Sequence, residues 1–147
     1  MEQASSGSHV PLSQKFFTGG GSTLRGFPLN GAGPQATIPA CGNPSDTSTC
    51  GFIRVPTGGA QLFIVNSELR IPLPIKKGLG LVTFYDGGNV YNRIGFRNFM
   101  SDYTNSVGFG LRYATPVGPI RIDLGHNLNR ISGIKATQIF ITLGQAF

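Results

Sequence analysis

The sequence predicts an all-β fold, in which about five antiparallel strands are laid out like the C-terminal strands of a transmembrane β-barrel. Three observations predict it. Residues 60–147 alternate apolar and polar side chains with a period of two, Gly, Pro and Asn interrupt that alternation, and short interruptions take turns with long ones. Composition agrees: 22 Gly, 10 Pro and only 12% charged residues in a chain of 147 do not describe a compact helical protein. Mean hydropathy is close to zero. That value suits membrane strands of about ten residues each, half of whose side chains are polar or small. A run of about eighteen apolar residues, as a membrane helix needs, is absent, as are the n-region and h-region of a signal peptide.

The strands follow in order. In the first, Phe63, Val65, Leu69 and Ile71 share one parity and Asn66, Glu68 and Arg70 the other; Leu62 and Ile64 spoil the polar face near its start, and Pro72 and Pro74 end the run. The second places Leu79, Leu81, Thr83 and Tyr85 opposite Val82, Phe84 and Asp86, and Gly87, Gly88 and Asn89 are expected to break it. The third alternates most cleanly, Val107, Phe109, Leu111 and Tyr113 against Gly108, Gly110, Arg112 and Ala114, and Pro116–Pro119 make a tight turn. The fourth sets Ile120, Ile122 and Leu124 against Arg121, Asp123 and Gly125. In the fifth, from about Thr137 to the end, Ile139, Ile141, Leu143 and Phe147 oppose Thr142, Gly144 and Ala146, with Phe140 on the nominally inner face.

The connections carry the membrane reading. Short Pro-rich turns at 72–78 and 115–119 alternate with longer polar links at 87–105 and 128–136, as tight periplasmic turns alternate with long external loops. Charge on the polar parity points the same way. Glu68, Arg70, Asp86, Arg112, Arg121 and Asp123 are too many charges for a dry core, whereas a lumen supplies water and partners. A soluble β-sandwich that turns this face to water fits the period equally well.

Ahead of the strands, residues 1–15 are polar and patternless, a disordered or ragged start, and residues 16–59 are dense in Gly, Pro, Ser, Thr and Asn, which reads as one long loop. The only cysteines, Cys41 and Cys50, flank a short polar stretch and form a candidate disulfide, the mark of an oxidising compartment; a reduced pair remains the alternative. They are too few for a zinc site. The formal net charge of +6 is scattered. No basic stripe interleaved with aromatics marks a nucleic-acid surface, and anionic membrane lipid is an equal candidate for the counter-charge.

Three stretches together resemble the C-terminal barrel region of the Omp85 superfamily, the outer-membrane proteins of barrel assembly and of translocation and assembly. They are Gly19–Pro28, GGGSTLRGFP; Leu81–Tyr91, LVTFYDGGNVY; and Val107–Phe147, which ends on the terminal aromatic. The resemblance covers nearly all of residues 16–147 and is loosest over 35–59. It implies that residues 16–59 are an extracellular loop that folds back toward the lumen, with Arg25, Gly26 and Phe27 at its tip. It further implies Glu68, Phe84 and Asp86 as the inward-facing partners of that motif, which the parity count independently places on the polar face. Arg25 offers a planar fork of donors to one or two carboxylates, and Phe27 is expected to pack beside Phe84. Gly26 permits close approach. Without the resemblance, Arg25 reads as a solvated loop arginine and Asp86 as a turn residue before two glycines.

The resemblance also makes Ile139, Ile141, Leu143 and Phe147 a C-terminal signal for outer-membrane assembly machinery as well as a lipid-facing wall. The expected location is the bacterial outer membrane. The expected partners are outer-membrane lipid, the assembly machinery and, for the intact molecule, client outer-membrane or secreted proteins; a two-partner secretion pore, a porin-like channel or a soluble β-rich binding module are the alternatives. In the family, sixteen strands follow periplasmic POTRA modules, so this chain is expected to be a fragment or a truncated gene product. No cofactor is expected, and no enzyme. His9 and His126 have no partners that would make them bases, no serine sits in a nucleophile elbow, and Gly19–Gly21 lacks the context of a phosphate loop. His126 is expected at the lumen edge or near a loop.

Overall fold

A computed structural model of the chain describes residues 11–40, 51–93, 95–129 and 133–144. Its body is one antiparallel sheet in the order β3-β4-β5-β6-β7, made of Gln61–Pro72, Leu79–Tyr91, Thr104–Thr115, Gly118–Asn127 and Thr137–Leu143. Each strand pairs with its neighbour in sequence, and β3 and β7 each pair on one side only among the described residues. Strands β1 (Gln35–Ala40) and β2 (Gly51–Pro56) form a separate hairpin, and a short helix α1 (Phe96–Asp102) lies between β4 and β5.

The register turns the alternation of single strands into rows across the sheet. One row runs Ile71, Leu81, Leu111, Ile122, Ile141, and the next on the same face runs Leu69, Thr83, Phe109, Leu124, Ile139. The opposite face carries Asn66, Asp86, Ser106, Asn127, then Glu68, Phe84, Gly108, Gly125, Gln138, then Arg70, Val82, Gly110, Asp123, Phe140. A slip of one residue would put charge into the apolar rows from β3 to β6, and Gln138 and Thr142 from β7, so the pattern itself specifies the pairing. The first face is bare: Leu69, Phe109, Leu111, Ile139, Ile141 and Leu143 are all exposed. The second is covered by the loop, which buries Val82, Phe84, Asp86, Ser106, Asp123 and Asn127.

The structure departs from the sequence reading in several places. Gly87, Gly88 and Asn89 do not end the second strand; β4 continues to Tyr91 and stays paired with β3 throughout. A side chain on Gly87 would collide with the Tyr103 phenol, so this glycine makes room for a neighbouring segment. The stretch 16–59 is not all loop, because β1 and β2 pair along their whole length, from Gln35 opposite Pro56 to Ala40 opposite Gly51. Pro39 and Pro56 disguised these strands, and a two-stranded ribbon tolerates proline because each strand has a free edge. The link at 87–105 holds α1, whose seven residues are too few to show a helical period. His126, the penultimate residue of β6, lies beside the loop that follows, one of its two expected places; it stands opposite Val107 and Thr137 on the apolar parity, exposed, with Nδ1 2.9 Å from Thr137 Oγ1. The segment read as a ragged start is ordered from Pro11, with a 3-10 turn at Leu12–Gln14, and Phe16 bridges Gly59.

Candidate functional site

The site is the contact between the loop tip and the polar face of the sheet. Thr23 orders the approach to the tip: its hydroxyl accepts the Gly19 amide at 2.9 Å and its carbonyl accepts Asn66 Nδ2 at 2.7 Å. The Phe27 amide then donates to Leu24 O at 3.1 Å, which closes a tight turn around Arg25 and Gly26. Leu24 and Phe27 are wholly buried and cluster with Ala32 and with the partly buried Ile134. The loop tip thus carries its own small core, with the polar motif aimed at the sheet.

Arg25 is 5% exposed, and its charge is matched from two strands. Its Nε donates to Asp86 Oδ2 at 2.7 Å and its Nη2 to Asp86 Oδ1 at 2.7 Å, a side-on fork that takes both oxygens of one carboxylate. Its Nη1 donates to Glu68 Oε1. Asp86, with no exposed surface, also accepts the Arg25 backbone amide at 3.1 Å and Asn66 Nδ2 at 2.7 Å, so both carboxylate oxygens are fully used. The guanidinium carbon lies 3.6 Å from the centre of the Phe84 ring, a geometry worth roughly 0.5–2 kcal/mol. Burial alone would lower the Arg25 pKa; the bonds from Asp86 and Glu68 outweigh it and leave the pKa raised. The arginine is therefore a permanent cation. Removing one partner of such a buried pair costs about 3–5 kcal/mol, because the other is left charged and unpaired.

The loop fits here because the sheet is hollowed by small residues. Gly125 faces the Arg25 carbonyl so closely that a Cβ there would overlap it. In the other direction, a Cβ on Gly26 would overlap Ser106 and stand 2.9 Å from the Asn127 amide nitrogen. Gly26 N–H donates to Ser106 Oγ at 3.2 Å. The ion pairs extend along the inner face: Glu68 also accepts Arg70 at 2.9 Å, and Arg112 binds Asp123 at 2.5 and 3.0 Å. Between this network, the loop and β7 lies a cavity of about 530 Å³, lined by Ser22, Arg121, Phe140 and Thr142 among others.

The structure thus brings together Arg25, Gly26, Glu68, Phe84 and Asp86. Phe27 differs from expectation: it packs with Leu24 and Ala32, and Arg25 occupies the face of Phe84. Ile139, Ile141 and Leu143 share one exposed edge-strand face, whereas Phe147 lies outside the described residues, as do Cys41, Cys50 and His9. Sequence reasoning missed Asn66, Ser106 and Gly125. All three stand on the same inner rows as Glu68 and Asp86, so parity assigns them to that face without singling them out.

The Omp85 superfamily domain matches residues 1–147. The chain belongs to the Omp85 superfamily. This membership makes it a protein of the bacterial outer membrane. Among curated relatives, the Omp85 chain is 28% identical over 120 residues to the outer membrane protein assembly factor BamA of Nitratidesulfovibrio vulgaris, an alignment covering 82% of this chain and 13% of that protein. Among solved structures it is similar to BamA from Haemophilus ducreyi lacking POTRA domains 1–3, with a TM-score of 0.63 and 22% identity over 88% of this chain and 27% of that one. The chain therefore spans about an eighth of the length of its curated relative and about a quarter of the solved one. The structural likeness concerns the fold alone.

Proposed function

We propose that these residues are the C-terminal, closing part of an outer-membrane barrel of about sixteen strands that inserts or translocates other outer-membrane proteins. The observation that carries the reading is the docking of the Arg25 loop on the polar face of the sheet, with the opposite face left exposed and largely apolar. A soluble module would have to leave those rows in water, where a patch of that size drives association. In lipid they are solvated, and the polar rows become the lumen wall. The free edges of β3 and β7 then need further strands, because unpaired backbone groups are prohibitive within a bilayer.

The role assigned to Arg25, Gly26 and Phe27 is to hold the loop in the lumen as a latch, with Glu68, Phe84 and Asp86 as its seat. No chemical step is assigned to any residue, and no cofactor. Strand β7, with Ile139, Ile141 and Leu143, serves also as the stretch that assembly machinery recognises, with Phe147 as its terminal residue. A disulfide between Cys41 and Cys50 is part of this reading, on the ground that they are the two cysteines of the sequence and flank a short polar stretch.

Conditional depletion of the protein in its own host tests the function. Levels of many unrelated outer-membrane barrels should fall together, and wild-type protein should restore them where the Asp86→Ala variant does not. Loss of one secreted client with other barrels intact would replace this reading with a two-partner secretion pore.

A further inference from the structure

Helix α1 does not continue the loop that covers the polar face; it folds over the other side of the sheet. Phe99 packs edge-on against Phe63 with ring centres 5.1 Å apart and stacks on Tyr91 at 5.8 Å. Tyr103 lies over Gly87, with its hydroxyl 3.3 Å from that of Tyr85. Phe63, Tyr85, Gly87 and Tyr91 all belong to the parity of the apolar rows. Between the helix and the strands these contacts leave a hollow of about 510 Å³, lined by Phe63, Val65, Phe99, Met100, Tyr103 and Asn105. It is open: Met100 is 65% exposed and Val65 42%. It also lies at the end of the sheet opposite the tight turns 73–78 and 116–117, where α1 and the covering loop both emerge.

Two features say what fills it. The hollow is continuous with the apolar wall, because Val65 and Phe63 stand on the same strand face as Leu69 and Ile71. The exposed Arg97 is three residues before Met100 and therefore its neighbour on the helix surface, while Asp102 projects from the far side of the turn. An apolar groove opening onto a lipid-facing wall, with an exposed cation one helical turn from the lining residue Met100, matches an acyl chain below an anionic headgroup. We propose that this hollow seats an acyl chain of a phosphorylated outer-leaflet lipid, with Arg97 at the headgroup phosphate. The inference rests on the reading of the apolar rows as lipid-facing. The helix then works as an interfacial float that fixes the depth of the exterior end of β3–β5, and the lipid is part of the seat.

The test uses p-benzoylphenylalanine in place of Met100, in place of the wall residue Leu111, and in place of Leu29 on the loop, each in the protein as expressed in its own outer membrane with radiolabelled phosphate. Irradiation should yield phosphate-bearing lipid adducts at positions 100 and 111 and none at 29. Arg97→Glu should lower the adduct at position 100 severalfold and leave that at 111 unchanged. An adduct at 111 without one at 100 overturns the hollow and leaves the wall reading standing; no adduct at either overturns the wall reading itself. An unchanged yield at 100 in the Arg97→Glu protein overturns the headgroup assignment. Probe incorporation at Val65, on the opposite lip of the same hollow, gives the same readout if the Met100 variant does not assemble.

Discussion

At the scale of single residues, Arg25 and Asp86 act as one unit. Each satisfies what the other would leave buried and charged, so the two alanine substitutions should not add. Arg25→Ala and Asp86→Ala should each lower resistance to thermal unfolding in detergent by about 3–5 kcal/mol, and the double variant should be little worse than either. Additive losses would mean that the two are independent. Arg25→Lys should recover little, since a single ammonium cannot span both oxygens of Asp86 while also reaching Glu68. The glycines make a separate case. Gly125→Ala or Gly26→Ala should undock the loop and expose it to protease, whereas Gly51→Ala, with nothing within 4 Å, should leave the digestion pattern as it was. Much of this site was legible in the sequence because charge on an alternating strand is conspicuous: Glu68 and Asp86 stand out against apolar neighbours. Asn66 and Ser106 share their rows but carry no charge, and the sequence alone does not distinguish them from the other polar residues of a lumen wall. The packing of Phe27 depends on how the loop turns at Leu24, which no periodicity records.

At the scale of elements, the strands were readable where side chains alternate and obscure where they do not. The β1–β2 hairpin is the clearest case, because Thr37, Ile38, Pro39 and Ala40 follow no period and only pairing with β2 makes them a strand. Its base is tied by the Thr57 amide and hydroxyl to the Pro34 carbonyl at 3.0 and 3.1 Å, and the hairpin packs on none of the other helices or strands described. Replacing residues 35–56 by a short turn should therefore leave the heat-modifiable migration of the protein unchanged. Mass spectrometry of unreduced peptides should find Cys41 joined to Cys50, and two free thiols would refute that pairing. Helix α1 is held by aromatic packing, and its Tyr103 phenol reports on that contact. Burial first, and then the hydrogen bond with Tyr85, push its pKa from 10.0 up to about 12. The folded state thus holds this proton more tightly than the unfolded one. The contribution is whole below pH 10, declines as pH rises through about 12, and is absent above that. Phenolate absorbance should include a late titration that Tyr85→Phe moves down.

At the scale of the whole molecule, the protein is a sheet with two unlike faces. Rows such as Ile71, Leu81, Leu111, Ile122 and Ile141 form one face, and rows such as Asn66, Asp86, Ser106 and Asn127 the other, where the loop is seated by ion pairs. The five strands of the main sheet and the alternation of short and long connections, though not the β1–β2 hairpin, followed from the sequence because both are written locally, in Pro and Gly positions. The docking of the loop is a long-range contact, and only the family resemblance placed it. The most direct test of the two-faced sheet is the migration on electrophoresis, heated and unheated, of the protein together with the further strands that the proposed barrel requires, after refolding with and without detergent micelles. A compact, heat-modifiable form should appear only where detergent covers the apolar rows, with its melting point lowered by Asp86→Ala. A folded, monodisperse monomer in detergent-free buffer would contradict it.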